Sequence, residues 1–546
     1  MADSKVPAEN QRAARSIDAP DTYRSLLGRA PLHPLLLASY AVLFLYASNI
    51  TELTAGEVLQ PLVGAVLAAA TVLLILGIAF KSLSRAAIVT SAMVVSFFAY
   101  GHAEAFLASI GLGLRTQLVA WAAFVMLATF LAYRVRLLLL PITTFMNVVA
   151  SILVLLSLTT IVPREIERST DAPRGDAPGV VQGGGGLASQ QRDIYYLVFD
   201  RYGSEWSLDY HFGVESDLPE WLSDQGFQVA TQSHANYRAT DFSLAATLNM
   251  TYLDDLTARY GRDTGDRTAA RQMVRDHAVG RFMQAQGYRY THLGSWYDPT
   301  RTSLLADESR SYDAESEFSA VMRHTTIVPA FLRMLGHQDE ALTLRERHVR
   351  IADFQFRQLA ELREDPGPNF VFAHVLLPHS PYVFRADGRL VTKAEEVSEP
   401  ESRLYGGQLA YLDGRIKATI EHLLAGPPEE QPIIIVQGDE GPFARKDVDW
   451  EGREAEYLQV RFGILNALYL PGVAQDAVHP SITSVNTFRL VFSRYFEADL
   501  PLLEDRSFTW PDNERVYDFV EVTDLVATPP DVPPLDAEPA EDPVSP

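Results

Sequence analysis

The sequence predicts two unlike parts: an N-terminal α-helical membrane bundle of about five spans and a C-terminal α/β domain. Apolar stretches crowd the first 162 of the 546 residues. Beyond residue 192, short apolar runs alternate with longer segments of helical period, the pattern of an α/β domain. The charge divides at nearly the same place. Residues 1–162 carry 10 Lys or Arg against 7 Asp or Glu, a balance of +3, and residues 163–546 carry 36 against 62, or −26.

The apolar stretches run over about Leu35–Ala47, Pro61–Phe80, Ala86–Phe106, Leu118–Tyr133 and Leu138–Val162. The second and fifth reach the ~20 residues needed to cross the hydrocarbon core. The first is short but extends to about Pro31–Ile50. The third carries His102 and Glu104 near its end, at an interfacial depth or in a buried functional role. No small-residue cleavage pattern follows the first stretch, so it reads as a span and not as a signal peptide. Lys5, Arg12, Arg15, Arg24 and Arg29 precede it, Lys81 and Arg85 fill the second connection, and Arg134 and Arg136 fill the fourth. The first connection has no Lys or Arg and the third has only Arg115, so the N-terminal side is cytoplasmic. The expectation is a multi-pass protein of the cell membrane: residues 1–30 a cytoplasmic tail, 31–162 the bundle, and everything after Val162 extracytoplasmic.

Residues 163–192 hold few apolar side chains and a Gly183–Gly186 run, which predicts a flexible linker. Residues 527–546 are acidic and Pro-rich, which predicts a disordered tail. The folded domain is then 193–526. Without a single cysteine it has no disulfide, thiolate metal site or Cys nucleophile, and depends on its core. Its acidity excludes nucleic acid as a partner, because phosphate backbones require a basic footprint. Strands are predicted at 194–199, 288–294, 369–377, 432–438 and 462–470, and a helix over Tyr405–Ala425, where Leu409, Leu412, Ile416 and Ile420 share a stripe. Continuous apolar runs point to a sheet covered on both faces, with ligands beyond the carboxyl ends of its strands.

Two of those strands end in acid: IYYLVF runs into Asp200, and PIIIVQG into Asp439-Glu440-Gly441. Carboxylates there suit a hard divalent cation, or stand as solvated turn residues. His379, in LLPHSPYVF, follows another strand as a structural or a functional imidazole. In NYRATDFSLAATLNM a helix start is capped by Thr240 or Asp241, and the same hydroxyl is a candidate nucleophile. Arg201 and Asn236 are candidate phosphate contacts by nearness to Asp200 and Thr240. His374 reads as a satisfied interior histidine and Asp413 as a helix-surface or structural residue. Tyr202, Trp206 and Tyr382 read as core or pocket lining.

The order strand–Asp200, Thr240, His379 in PHSPY and strand–Asp439-Glu440-Gly441 resembles the alkaline phosphatase and sulfatase superfamily. Within it, a multi-span anchor with an external domain is similar to membrane enzymes of the lipoteichoic acid synthase and phosphoethanolamine transferase type. YYLVFDRYG, NYRATDFSLAATLNMTYLDDL, FVFAHVLLPHSPYVF and FGILNALYLPG are similar to segments of membrane sulfatase-like proteins, and the resemblance covers about Asp193–Asp505. It implies an alkaline-phosphatase/sulfatase-like α/β domain with one divalent metal held by Asp200, Thr240, Asp439 and Glu440. Thr240 is the implied nucleophile, and His379 the implied contact to phosphate or leaving group.

Two departures qualify the resemblance. Asp439-Glu440-Gly441 stands where the family has Asp-His-Gly, and a carboxylate for an imidazole shifts preference from Zn²⁺ toward Mn²⁺ or Mg²⁺. A formylglycine sulfatase is disfavoured, since no Cys exists and Thr240 lies in ATDFS. The leading expectation is a metal-dependent phosphotransferase or phosphodiesterase acting on a membrane lipid headgroup or a cell-envelope polymer. The alternative is a noncatalytic sulfatase-like envelope protein that binds a glycan, a lipid or a partner protein. A phosphomonoesterase or sulfatase ranks third, and the sequence leaves the oligomeric state open.

Overall fold

The computed structural model describes residues 30–134, 138–171, 191–303, 305–313, 315–337, 342–445, 448–527, 529, 531–533 and 535. The expected cytoplasmic tail (all but residue 30), residues 172–190 of the expected linker and most of the expected C-terminal tail lie outside the described residues. The chain divides into two compact units. One comprises Met1–Ser48, Val58–Val162 and Thr325–Ala330; the other comprises Asn49–Glu57, Pro163–His324 and Phe331–Pro546.

The first unit is helical: α1 (His33–Ser48), α2 (Ala55–Phe80), α3 (Leu83–Ser109), α4 (Leu114–Arg134) and most of α5 (Leu139–Asp171). Among the described residues, four helices are long and apolar enough to cross a membrane, not five. The exception is α1, whose 16 residues rise about 24 Å at 1.5 Å each, short of a ~30 Å hydrocarbon core. It buries Pro34, Ala38, Val42 and Tyr46, every fourth residue, and packs on α3. α2 instead exposes Leu67, Leu74 and Ile78, an apolar surface that suits lipid. α5 does not stop at Pro163; it continues to Asp171, so residues 163–171 are helix where the sequence suggested linker.

The second unit is built on a seven-stranded sheet of order β2-β7-β6-β1-β5-β3-β4. Its strands are β1 (Ile194–Phe199), β2 (Gln228–Val229), β3 (Arg289–Leu293), β4 (Glu308–Arg310), β5 (Asn369–Val375), β6 (Ile433–Gly438) and β7 (Asn466–Tyr469). β6, β1, β5, β3 and β4 run parallel, and β7 is antiparallel to both β6 and β2. β7 is shorter than the apolar run 462–470, because Phe462 closes a helix and Gly463 and Ile464 form only isolated bridges.

Alternation along β1 explains how both faces become dry. Ile194, Tyr196 and Val198 join a core with Phe242, Leu244 and Leu248 of α6 (Thr240–Asn249). Tyr195, Leu197 and Phe199 join the other core, with Leu359 of α8 (Leu344–Leu362) and the predicted stripe Leu409, Leu412, Ile416 and Ile420 of α9 (Glu401–Leu423). Each of those four α9 side chains is fully buried, worth roughly 1.5–3 kcal/mol apiece by area. α7 (Thr268–Arg275) packs on α6 in the first of these cores, and α10 (Glu454–Phe462) precedes β7.

Candidate active site and metal centre

The registers bring three strand ends level. Phe199 of β1 pairs with Val375 of β5 and with Gly438 of β6, so Asp200 and Asp439 leave their strands side by side. Val198 pairs with His374 and Gln437, which sets His374 one pleat behind the two aspartates on the face covered by α6. A ligand atom from each of Asp200, His374 and Asp439 lies within 4.8 Å of the others, and all three residues are buried. Asp200 Oδ1, Asp439 Oδ2 and His374 Nε2 each lack a hydrogen-bond partner. Three orphaned donor atoms converging in a dry site fit a divalent cation, which removes the cost of leaving them unpaired.

The electrostatics agree. Burial, then the neighbouring Asp439, pushes Asp200 well above the usual carboxylate range, and burial raises Asp439 as well. Burial pushes His374 down to about 3, so its ring is neutral and suited to ligation. Its Nδ1 lies 2.9 Å from Thr300 Oγ1; a proton donated there leaves the Nε2 lone pair facing the aspartates.

The turn after β1 is tightly specified. Arg201 has φ 67°, a left-handed conformation uncommon for a side-chain-bearing residue, and its N–H donates to Asp439 Oδ1 at 3.0 Å. Its guanidinium reaches Glu440 Oε1 at 2.8 Å and lies 3.2 Å from the centroid of the Phe443 ring. Arg461 of α10 takes the other Glu440 oxygen at 2.8 Å. Glu440 is thus clamped between two guanidiniums and is not in the Asp200, His374 and Asp439 group; burial raises its carboxyl while Arg201 and Arg461 pull it down. At Gly441 a Cβ would lie 2.0 Å from Val460 O, so only glycine fits beside α10.

Thr240 is the first residue of α6, and the N-cap is Ala239, so neither Thr240 nor Asp241 caps the helix as expected. The Thr240 hydroxyl instead donates to Glu440 Oε1 at 3.2 Å. His379 Nδ1 bonds to Ser380 O, and its ring packs edge-on against Trp296 and Phe443. A carbonyl partner requires Nδ1 to carry the proton, and burial followed by the charge of Arg201 pushes the imidazole well below its usual pKa. Nε2 is therefore an acceptor. Asn236 is a correction to the sequence reading: it is fully buried, with Nδ2 on Arg506 O and Oδ1 on Val485 N, so it braces loops and does not line the cavity. Asp413 is structural, accepting from Tyr202 and Ser216.

Asp200, Thr240, Glu440 and His379 line one cavity of about 540 Å³. Five arginines line it too: Arg201, Arg238, Arg267, Arg271 and Arg461. Five carboxylates share the lining, Glu52, Asp200, Asp241, Glu317 and Glu440, so the guanidiniums suit an anionic group where they are least paired with these acids. Sequence reasoning missed His374, four of these five arginines, and Glu52, which reaches the cavity from the segment between α1 and α2.

Neither a family model nor a curated protein sequence matches the chain. Solved structures do. The chain is similar to the C-terminal periplasmic domain of EcEptC from Escherichia coli, with 12% identity and a TM-score of 0.41 over 64% of this chain and 99% of that chain. A protein in the alkaline phosphatase superfamily from Vibrio parahaemolyticus matches at 12% identity and a TM-score of 0.36, over 64% of this chain and 81% of that one. Phosphonate monoester hydrolase of Agrobacterium radiobacter matches at 14% identity and a TM-score of 0.35, over 58% of this chain and 80% of that one.

Proposed function

We propose that the chain is a membrane-anchored, metal-dependent enzyme of the alkaline phosphatase and sulfatase type, with its catalytic unit outside the cytoplasm. Its reaction is transfer or hydrolysis of a phosphate ester of a lipid headgroup or envelope polymer, with Thr240 as nucleophile. The observation that carries this reading is the convergence of buried ligand atoms on Asp200, His374 and Asp439, each residue with one such atom free of any hydrogen bond, beside a Thr hydroxyl in a cavity that five arginines help to line.

Asp200, His374 and Asp439 would hold one divalent cation, which when bound lowers the pKa of a nearby hydroxyl and offsets charge on phosphoryl oxygens. The preference for Mn²⁺ or Mg²⁺ rested on Glu440 as a ligand; one imidazole with two carboxylates suits Zn²⁺ as well. The remaining steps belong to the chain. Thr240 passes its proton to Glu440 Oε1, the atom its hydroxyl already faces, and the Oγ1–P bond forms as the bond to the leaving oxygen breaks. Arg201 and Arg461 hold Glu440 in place. The first leaving oxygen departs into solvent and takes its proton there; in the second displacement His379 Nε2 accepts the proton of the incoming hydroxyl or water and later releases it to solvent, while the Oγ1–P bond breaks and Glu440 returns its proton to Thr240 Oγ1.

The test uses the full chain in detergent micelles with Mn²⁺, Mg²⁺ or Zn²⁺, a phosphodiester panel that includes glycerophospholipids, and the Thr240→Ala and His374→Ala variants. Metal-dependent turnover, phosphothreonine at position 240 and loss of both in Thr240→Ala are expected. Wild-type-like turnover by Thr240→Ala would remove the nucleophile. Binding without turnover by a folded wild type with every metal would favour the noncatalytic reading, for which the arginine lining is the supporting feature.

A further inference from the structure

The arginines of the cavity do not share their counter-charges evenly. Glu440 serves Arg201 and Arg461. One oxygen of Asp241 serves both Arg267, at 3.6 Å, and Arg271, at 3.4 Å, and Glu52 adds a second carboxylate to Arg271 at 2.8 Å. Arg238 has no carboxylate within ion-pair distance and no side-chain hydrogen bond among the described residues, although it lines the cavity two residues before Thr240. Its guanidinium lies 4.5 Å from the centroid of the Trp510 ring, and Arg267 approaches the same indole at 5.7 Å. Burial disfavours that guanidinium most, and the charges of Arg461 and Arg267 add to it against the opposing influence of Tyr457 and Glu440.

A partly buried cation next to two more cations costs free energy that the indole contact offsets only in part, with no carboxylate among the described residues at ion-pair distance to complete it. A bound anion returns it. A guanidinium fixed by stacking presents its donors in a preset fork, the geometry that fits a phosphate or carboxylate bidentately. We propose that Arg238, with Arg267 and Trp510, forms a second anion subsite, so that the substrate carries a further phosphate or carboxylate besides the phosphoryl group that reacts at Thr240. The subsite rests on the phosphoryl-transfer reading for the identity of the first group. Since Arg238 and Thr240 are two residues apart, their Cα atoms lie within about 7 Å, and both anionic groups belong to one compact headgroup.

The experiment measures binding, so it does not depend on turnover. The dissociation constants of glycerol 1,3-bisphosphate and glycerol 3-phosphate are compared by calorimetry on the full chain in detergent, for wild type, Arg238→Ala and Arg238→Lys. The wild type is expected to prefer the bisphosphate about tenfold, a ratio that collapses toward one in Arg238→Ala and is intermediate in Arg238→Lys. An undiminished ratio in a folded Arg238→Ala, including the case where both affinities fall together because Arg238 touches the reacting phosphoryl group, overturns the proposal. Equal wild-type affinities overturn it as well. Cardiolipin in the same micelles separates the sources: competition with the bisphosphate supports a lipid headgroup, and a tenfold preference without competition supports a soluble one. Failure of Thr240 to turn over substrate bears on the catalytic reading alone and leaves this ratio intact.

Discussion

Glu52 and Arg271 are joined twice: Arg271 Nη2 meets the Glu52 carboxylate at 2.8 Å, and Nη1 donates to the Glu52 carbonyl at 2.8 Å. A residue from the segment between α1 and α2 thereby becomes part of the cavity wall. The segment is secured elsewhere too, by Arg168 of α5 on Leu53 O and Ile50 O, by Arg267 N on Thr51 O, and by Arg275 on Glu57. The two partners should respond unequally. The Glu52 side chain is 46% exposed, so Glu52→Ala should cost about 1 kcal/mol or less. The Arg271 side chain is 7% exposed and shares the fully buried Asp241, so Arg271→Ala should cost about 3 kcal/mol or more. Denaturation of the full chain in detergent measures both; equal losses would mean that the Asp241 contact contributes little. An isolated segment 191–527 lacks residues 49–57 and should melt well below the intact chain.

Glu440 is placed to act in two ways, as counter-charge to Arg201 and Arg461 and as acceptor of the Thr240 proton. Glu440→Gln keeps the shape and removes both. Turnover should fall by roughly 10²–10⁴, the range for a lost general base. Stability should fall by about 3 kcal/mol, because buried Arg461 loses its only carboxylate among the described residues and buried Arg201 keeps only Asp200, at 3.9 Å. Turnover assays beside chemical denaturation separate the roles. Lost stability with unchanged turnover would leave Glu440 a structural counter-charge only.

The parts of this site that were legible in the sequence are those written in local pattern. β1, β5 and β6 are continuous apolar runs, and the α9 stripe repeats at helical period, so strand ends at Asp200 and Asp439 follow directly. β2 and β4, of two and three residues, are too short to show a period. His374 was readable only through parity: it shares a face with Val198 and Gln437, hence with Asp200 and Asp439, once the strands are known to be in register. Register is a tertiary fact, set by the packing of both cores. Asn236 shows the converse, since four residues of separation from Thr240 place it in a loop brace and not in the cavity. Glu440 could be named, but its partner Arg461 lies 21 residues onward at the end of α10, beyond any local signal.

Stability should fall with rising pH through one identifiable group. Asp413 accepts hydrogen bonds from Tyr202 at 2.6 Å and Ser216 at 2.8 Å, and burial pushes its carboxyl up to about 6. In the unfolded chain it titrates near ~4. Between those values the folded chain holds a proton that the unfolded chain has released, so the contribution is full below about pH 4 and lost as pH rises through 6. Two units correspond to about 3 kcal/mol at most. Denaturation of wild type and Asp413→Asn from pH 4 to 8 checks this, since the difference between them should grow in favour of the variant across that window. A constant difference would mean that Asp413 is ionised in the folded chain throughout.

The 16 residues of α1 decide which side of the membrane the N-terminal segment occupies. The long helices α2 to α5 form an even number of crossings, so the segment 49–57 and the chain after α5 emerge on one side, in accord with their shared membership of the sheet-containing unit. If α1 also crosses, Lys5, Arg12, Arg15, Arg24 and Arg29 share the opposite side with Lys81, Arg85, Arg134 and Arg136, the distribution that marks a cytoplasmic face. If it does not, those two basic groups fall on opposite sides. The apolar run reaches beyond α1, over about Pro31–Ile50, and the first arrangement gathers the basic residues on one face, so α1 is expected to cross. The chain has no cysteine, which makes the assay clean. In intact cells a membrane-impermeant maleimide should label Ser398→Cys, and should label Ser16→Cys only after permeabilisation. Labelling of both before permeabilisation would make α1 an interfacial helix and put the N-terminal segment beside the catalytic unit.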